Sequence, residues 1–397
     1  MRLSTRLLVT PVCVAAAAVC LPGAHAAAAE RPDFDAPFAC AEDWSASSRS
    51  GHSPSYYSVD FNKDDDDGAP VLASAPGQVT RVRDVGDTSY GRYVVLDHGD
   101  GWTTLHAHLK AMYVVEGQWL DQGDIIGLLG TTGGSSGPHL HYEQSLAGSN
   151  QHAYFDGTQL TYNTTIRSAS CGDVPAVGDW NGDGVTDVGV LRRSATPAFR
   201  RRLPDGTVSP IRLGASVDLP VTGDWNGDGT SEVGTWSRLS RTFSLRGPRG
   251  RLQRIVYGAV RDLPITGDWD GDGRTEVGTY RPTSGVFRLR ARDETFTRYN
   301  FGSAAAAPVT GDWDGDDRAD VGTYVQGSGI WRLRSTLTGE VSSFRHGGPG
   351  RLPVTGDWNG DGVTDVGTWS SATGRFSLRT DTSGRVQTRR VAFGRPR

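Results

Sequence analysis

GDWNGDGVTDVG, residues 178–189, recurs four more times: GDWNGDGTSEVG from Gly223, GDWDGDGRTEVG from Gly267, GDWDGDDRADVG from Gly311 and GDWNGDGVTDVG from Gly356. The leading aspartates fall at 179, 224, 268, 312 and 357, a period of 44 or 45 residues. That period, with four short strand-like runs in each unit, is the pattern of a β-propeller blade. In the third unit the runs are LPITGDW, EVGTYR, GVFRLRA and FTRYNFG. Alternation in FRLR sends the apolar side chains to one face and the arginines to the other. Residues 172–397 are therefore expected to form a propeller-like repeat domain of five units, whether closed into a ring or stacked open.

Each copy reads Asp-x-(Asn/Asp)-x-Asp-Gly-x-x-(Asp/Glu), except that Asp317 replaces the glycine in the fourth. Oxygen side chains at this spacing suit a hard cation such as Ca²⁺, and glycine permits the sharp turn. The candidate calcium ligands are Asp179, Asn181, Asp183 and Asp187 in the first copy and Asp224, Asn226, Asp228 and Glu232 in the second. The third offers Asp268, Asp270, Asp272 and Glu276, the fourth Asp312, Asp314, Asp316 and Asp320, and the fifth Asp357, Asn359, Asp361 and Asp365. A metal-free Asx turn is the plainer reading. Carboxylates gathered this closely in every copy repel one another without a cation. Aspartate tolerates left-handed backbone less well than glycine, so the fourth loop is expected to be the weakest. The repeats resemble the calcium-loop propeller repeats of integrin-type (FG-GAP-like) and related bacterial secreted proteins. That resemblance implies a binding or structural role and names no ligand.

Composition agrees with an all-β chain. Of 397 residues, 53 are glycine and 20 proline, and turn residues punctuate short runs rich in Val, Thr, Tyr, Phe and Trp. A formal net charge of -4 gives no case for nucleic acid, and Lys63 and Lys110 are the only lysines. At the N-terminus, Arg2 and Arg6 precede a short alanine-rich apolar run that ends in Ala24-His25-Ala26. This is the pattern of a signal peptide cleaved after residue 26, and a lipobox ending at Cys20 fits less well. Cleavage leaves Cys40 and Cys171, which in an exported chain are expected to pair. In the chain-entropy model a loop of that length contributes about 4–5 kcal/mol. The mature chain is expected to be secreted or cell-wall associated, with no membrane attachment, and monomeric.

The chemistry is expected in the first body, residues 27–171. In GPHLHYE, residues 137–143, His139 and His141 flank one leucine. On a strand they point the same way, about 6.6–6.8 Å apart. Alternation also sends Glu143 to their side and Tyr142 away. Upstream stand SVDFN with Asp60, GAPVLASAPGQV, RYVVLDHG, and TTLHAHL with His106 and His108. From about residue 50 to 145 this ordered set resembles the lysostaphin-like zinc metallopeptidases, which hydrolyse peptide cross-links of bacterial peptidoglycan. The resemblance implies a compact antiparallel β-sheet domain. It implies that Asp60 and His141 bind zinc, and that His139 and His108 act on water and the transition state. Zinc with an open position lowers the pKa of water toward ~7, and uncoordinated histidines can serve as base and oxyanion donor. Gly133–Ser136 is expected to line the substrate groove, and Asp64–Asp67 to be a solvated turn.

Two positions depart from the family pattern. His106 stands where that family usually has tyrosine, and Tyr56 stands where its first zinc histidine is usual, four residues before Asp60. His52 lies eight residues before Asp60. Gly51 and the turn-prone Ser53-Pro54-Ser55 allow it to fold back as the third ligand. The expected function is that of a secreted zinc endopeptidase acting on peptidoglycan peptides. A degenerate peptidase that binds peptidoglycan or activates another hydrolase is the first alternative. The second is an adhesin in which the propeller takes a cell-wall or glycan ligand.

Overall fold

Every element among the described residues is a β-strand except one 3-10 turn at Pro248–Gly250. The computed structural model describes residues 30–382 and 385–396, so the expected signal peptide lies outside them. The all-β architecture read from the sequence is observed, and the sheets fall into two sets on either side of Cys171.

The first set contains β1 (Asp43–Ser47), β2 (Val59–Asn62), β3 (Pro70–Leu72), β4 (Gly77–Asp84), β5 (Arg92–Gly99), β6 (Trp102–Ala107), β7 (Ala111–Met112), β8 (Trp119–Leu120), β9 (Ile125–Leu128) and β10 (Leu140–Leu146). The main sheet runs in the order Thr164–Arg167, β1, β2, β10, β6, β5, β4, β8, and β3, β9 and β7 form a small second sheet. One face of β10 carries Leu140 and Tyr142, both fully buried against Phe61 and Val59 of β2 in a core that also holds Trp44 and Phe38. Strand alternation leaves His141 and Glu143 on the opposite face. The register places His141 across from Asp60 on one side and Ala107 on the other. Cys40 and Cys171 are joined with their Cα atoms 4.9 Å apart, which ties the lead-in of β1 to the exit of this domain.

The second set is five four-stranded antiparallel sheets, each built from consecutive strands. Their first strands are Asp173–Pro175, Leu219–Gly223, Leu263–Gly267, Ala306–Gly311 and Arg351–Gly356. In the third sheet Phe287 and Leu289 are buried while Arg288 and Arg290 are half-buried, as the FRLR alternation requires. Neighbouring sheets are linked by one repeated hydrogen bond. The amides of Ser231, Thr275, Ala319 and Thr364 donate to the carbonyls of Asp179, Asp224, Asp268 and Asp312, and that of Thr186 donates to Asp357. The last bond runs from the first unit to the fifth, so the links complete a cycle.

Packing follows the same rule. The valine after each acidic loop lies in the core of the preceding sheet. Val233, Val277, Val321 and Val366 do so in turn, and Val188 of the first unit packs with Trp358, Trp369 and Phe376 of the fifth. The Val-Gly that ends every sequence repeat is thus a packing element between neighbouring sheets. Between the two sets, Arg193 is buried and donates to the carbonyl of Gln122 at 3.2 Å, and Arg261 donates to that of Met112 at 3.1 Å.

Candidate active site

Four histidines and two carboxylates converge beside the centre of the main sheet. Asp60 on β2 and His141 on β10 are cross-strand neighbours, and Asp60 Oδ1 lies 3.1 Å from His141 Nδ1. The loop before β2 folds back so that His52 Nε2 stands 3.1 Å from the same oxygen. The ligand atoms of His52, Asp60 and His141 all lie within 4.8 Å of one another. Two imidazole nitrogens and a carboxylate oxygen converging on one point are a donor set that fits a divalent zinc ion.

The second nitrogen of each ring is also engaged. His141 Nε2 lies 2.9 Å from Glu143 Oε1, which accepts the Tyr90 hydroxyl at 2.7 Å. A carboxylate there fixes the tautomer that keeps Nδ1 free for a metal and strengthens it as a donor. His52 Nδ1 is 3.2 Å from Ser48 Oγ, whose hydroxyl is held on the carbonyl of Tyr56. Arg49 reaches Asp60 Oδ2 at 3.4 Å from an exposed position. Burial alone would raise the Asp60 carboxyl, but the His141 hydrogen bond and the surrounding imidazoles hold it below the usual carboxylate range. For His52, burial outweighs the attraction of Asp60 and lowers the ring's pKa.

His139 Nε2 stands 3.7 Å from Asp60 Oδ1, and its Nδ1 is 2.9 Å from the Gly137 carbonyl. His108 Nδ1 is 2.7 Å from the Thr132 carbonyl, and its ring centre is 4.6 Å from that of His139. A carbonyl only accepts, so each ring carries a proton on Nδ1, and in a neutral ring Nε2 is then the acceptor. Burial pushes His108 down to about 4, which keeps it neutral at pH 7.

His108 reaches the site by leaving the strand. Alternation along β6 puts His106 on the core face opposite Tyr142, where it is fully buried, and Ala107 on the site face. The next residue would return to the core, but β6 ends and His108 takes a left-handed φ of 60°. Tyr56 is turned outward and exposed, with only its carbonyl engaged near the site. The groove is lined by Ser89, Tyr90, Gly134, Ser135 and Ser136 along with the histidines. Tyr90 and Ser48 went unrecognised in the sequence. The Tyr-Gly before RYVVLD carries no spacing signal, and Ser48 sits in an ordinary serine-rich stretch.

The acidic loops of the repeats share one scaffold. In every copy the first aspartate accepts loop amides, as Asp179 Oδ1 does from Gly182 at 2.7 Å and Oδ2 from Gly184 at 2.8 Å. Asp317 has a φ of 65° and donates to Asp312 Oδ2 at 2.9 Å, so the fourth loop keeps its shape without the glycine. The third residue separates the copies. Asn181 and Asn359 donate to Asp183 and Asp361 at 2.9 Å, and Asn226 donates to Glu232. Aspartate has no such proton. Among the described residues only the third and fourth loops, which carry Asp270 and Asp314, gather three carboxylate oxygens within 4.8 Å: Asp268, Asp270 and Glu276, and Asp312, Asp314 and Asp316.

Three side chains that could hold a metal ion, flanked by two further histidines on an antiparallel sheet, give the site the donor set of a metal centre. Residues 55–153 match the sequence model described as Peptidase family M23. The DD-carboxypeptidase/endopeptidase Mpg of Neisseria meningitidis serogroup B is 46% identical over 81 residues, 20% of this chain and 18% of that protein. Peptidoglycan DD-endopeptidase ShyA of Vibrio cholerae is 42% identical over 81 residues, again 20% and 18%. The catalytic domain of lysostaphin from Staphylococcus simulans is 25% identical, covering 30% of this chain and 87% of that one, with a TM-score of 0.23. The chain thus spans less than a fifth of the length of these curated relatives.

Proposed function

We propose that this chain is an exported zinc endopeptidase that hydrolyses peptide cross-links of bacterial peptidoglycan. The convergence of His52, Asp60 and His141, with His108 and His139 beside them and held through their Nδ1 atoms, supports this reading most directly. His52, Asp60 and His141 would hold the ion, which supplies a Lewis acid for the amide carbonyl and for the attacking water. His139 and His108 each present an acceptor nitrogen for the water's proton and, once protonated, a donor for the developing oxyanion. His139 is the more exposed of the two and can exchange its proton with solvent. Glu143 and Tyr90 hold His141 in place. No helix among the described residues is long and apolar enough to cross a membrane.

The five repeats are the non-catalytic body in this reading, with calcium in the acidic loops. The third and fourth loops are the strongest candidates, because their carboxylates have no asparagine amide to neutralise them. Glu276 is only 5% exposed, its Oε1 has no hydrogen-bond partner, and burial with the neighbouring aspartates raises it to about 7. One zinc per chain, and new amino termini from purified sacculi that vanish with His139→Ala, are the expected results. A zinc-loaded protein that releases none would leave a peptidoglycan-binding role in place of hydrolysis.

A further inference from the structure

The segment between His52 and Asp60 has four more residues than the lysostaphin-like spacing, and it displays two tyrosines. Tyr56 and Tyr57 are 49% and 43% exposed. They close a ring of four aromatic side chains. Tyr56 lies 6.1 Å from Tyr57 and 5.4 Å from Tyr162, while His152 lies 5.5 Å from Tyr57 and 4.8 Å from Tyr162. The Tyr162 hydroxyl donates to the Tyr57 carbonyl at 2.9 Å, which ties the loop to Tyr162. Phe296, another exposed large aromatic, instead stacks on Tyr257. The loop's first residues, Ser53 and Pro54, line the groove beside His52, and two residues further on the same loop carries Tyr56 and Tyr57.

We propose that this aromatic quartet is a carbohydrate-binding subsite for the acetamido-sugar strand to which the cross-linking peptides are attached. The inference rests on the peptidoglycan reading of the groove. A peptide seated there brings its covalently joined sugars to the rim. Pyranoses present apolar C–H faces and polar edges, which match aromatic faces tipped with hydroxyls, and the quartet carries no carboxylate or ammonium group. The added loop length then gives the enzyme a hold on the glycan next to the ion that cuts the peptide.

The test compares two soluble substrates with the same cross-linked peptide, one carrying its disaccharides and one without sugar. An N-acetylglucosamine oligomer is titrated calorimetrically in parallel. Tyr56→Ala/Tyr57→Ala is paired with Tyr56→Leu/Tyr57→Leu, which keeps apolar bulk in the loop while removing the rings and their hydroxyls. The expected result is about a tenfold rise in KM on the sugar-bearing substrate, a clearly smaller change on the bare peptide, and loss of oligomer binding in both variants. Equal losses on the two substrates, or no loss on either, would overturn the proposal. If the wild-type protein cuts neither substrate, the peptidase reading falls, and the oligomer titration still decides the platform: binding that depends on the tyrosines sustains it, and no binding overturns it.

Discussion

His141 is held between two carboxylates, with Nδ1 3.1 Å from Asp60 and Nε2 2.9 Å from Glu143. Removing the outer carboxylate should loosen a metal that the inner one shares. Glu143→Gln is expected to weaken zinc affinity by about 10–100-fold, as loss of such orienting partners does elsewhere. Chelator-competition titration of wild type and variant measures this. Equal affinities would show that Glu143 is only a packing residue.

Tyr56 has the expected spacing for the third ligand and His52 has the right donor, and the two differ in placement. His52→Ala should abolish stoichiometric zinc, whereas Tyr56→Phe should retain it, because the Tyr56 ring is exposed and only its carbonyl meets Ser48. Metal analysis after dialysis reads both. Stoichiometric zinc in His52→Ala would refute the assignment.

Two histidines away from the candidate metal site are expected to lower stability in acid. Burial lowers His98 to about 4 and His106 to about 3. The unfolded chain binds protons near pH 6.5 that the folded rings refuse, so this contribution is complete above pH 6.5 and is lost as the pH falls toward 4. Between pH 7 and pH 5 the loss is about 2 kcal/mol for each ring. His106→Leu should flatten that part of the stability curve in denaturant titrations. An unchanged slope would show that His106 does not carry it.

The acidic loops should respond to pH in the opposite sense. Burial and neighbouring carboxylates raise Asp187 and Asp365 to about 6 and Glu276 to about 7. Raised acids stabilise the fold at low pH and cost stability as they ionise through these values. A cation reverses that cost. Added calcium should therefore raise Tm markedly at pH 8 and little at pH 5, and Asp270→Asn should reduce the gain. Melting curves indifferent to calcium at pH 8 would remove the metal from the repeats.

The sequence made the periodic features legible and left the irregular ones hidden. Residues spaced two apart on a strand share a face, so the pairing of His139 with His141 and the direction of Glu143 followed from GPHLHYE alone. The repeat showed its four strands because turn residues bound each run. His108 was legible only through family resemblance, since its entry depends on one left-handed residue after β6 ends. Tyr90 reaches Glu143 across 53 positions and no local pattern marks it. Ring closure was equally invisible. It rests on Thr186 meeting Asp357 and Val188 entering the core around Trp358, contacts between the two ends of the repeat array.

That closure bears on how the repeat number can change over generations. In an open stack, duplicating or deleting one unit shifts only an end, and the chain tolerates it. Here each unit lends a valine to one neighbour and accepts one from the other, and the first and last units are neighbours. Because the valines are equivalent, loss or gain of a unit leaves each core its valine but forces every neighbouring angle to readjust before the ends can meet. The count of five is thus a property of the whole circle, set by the Thr186–Asp357 link and the seat of Val188 among the fifth unit's side chains.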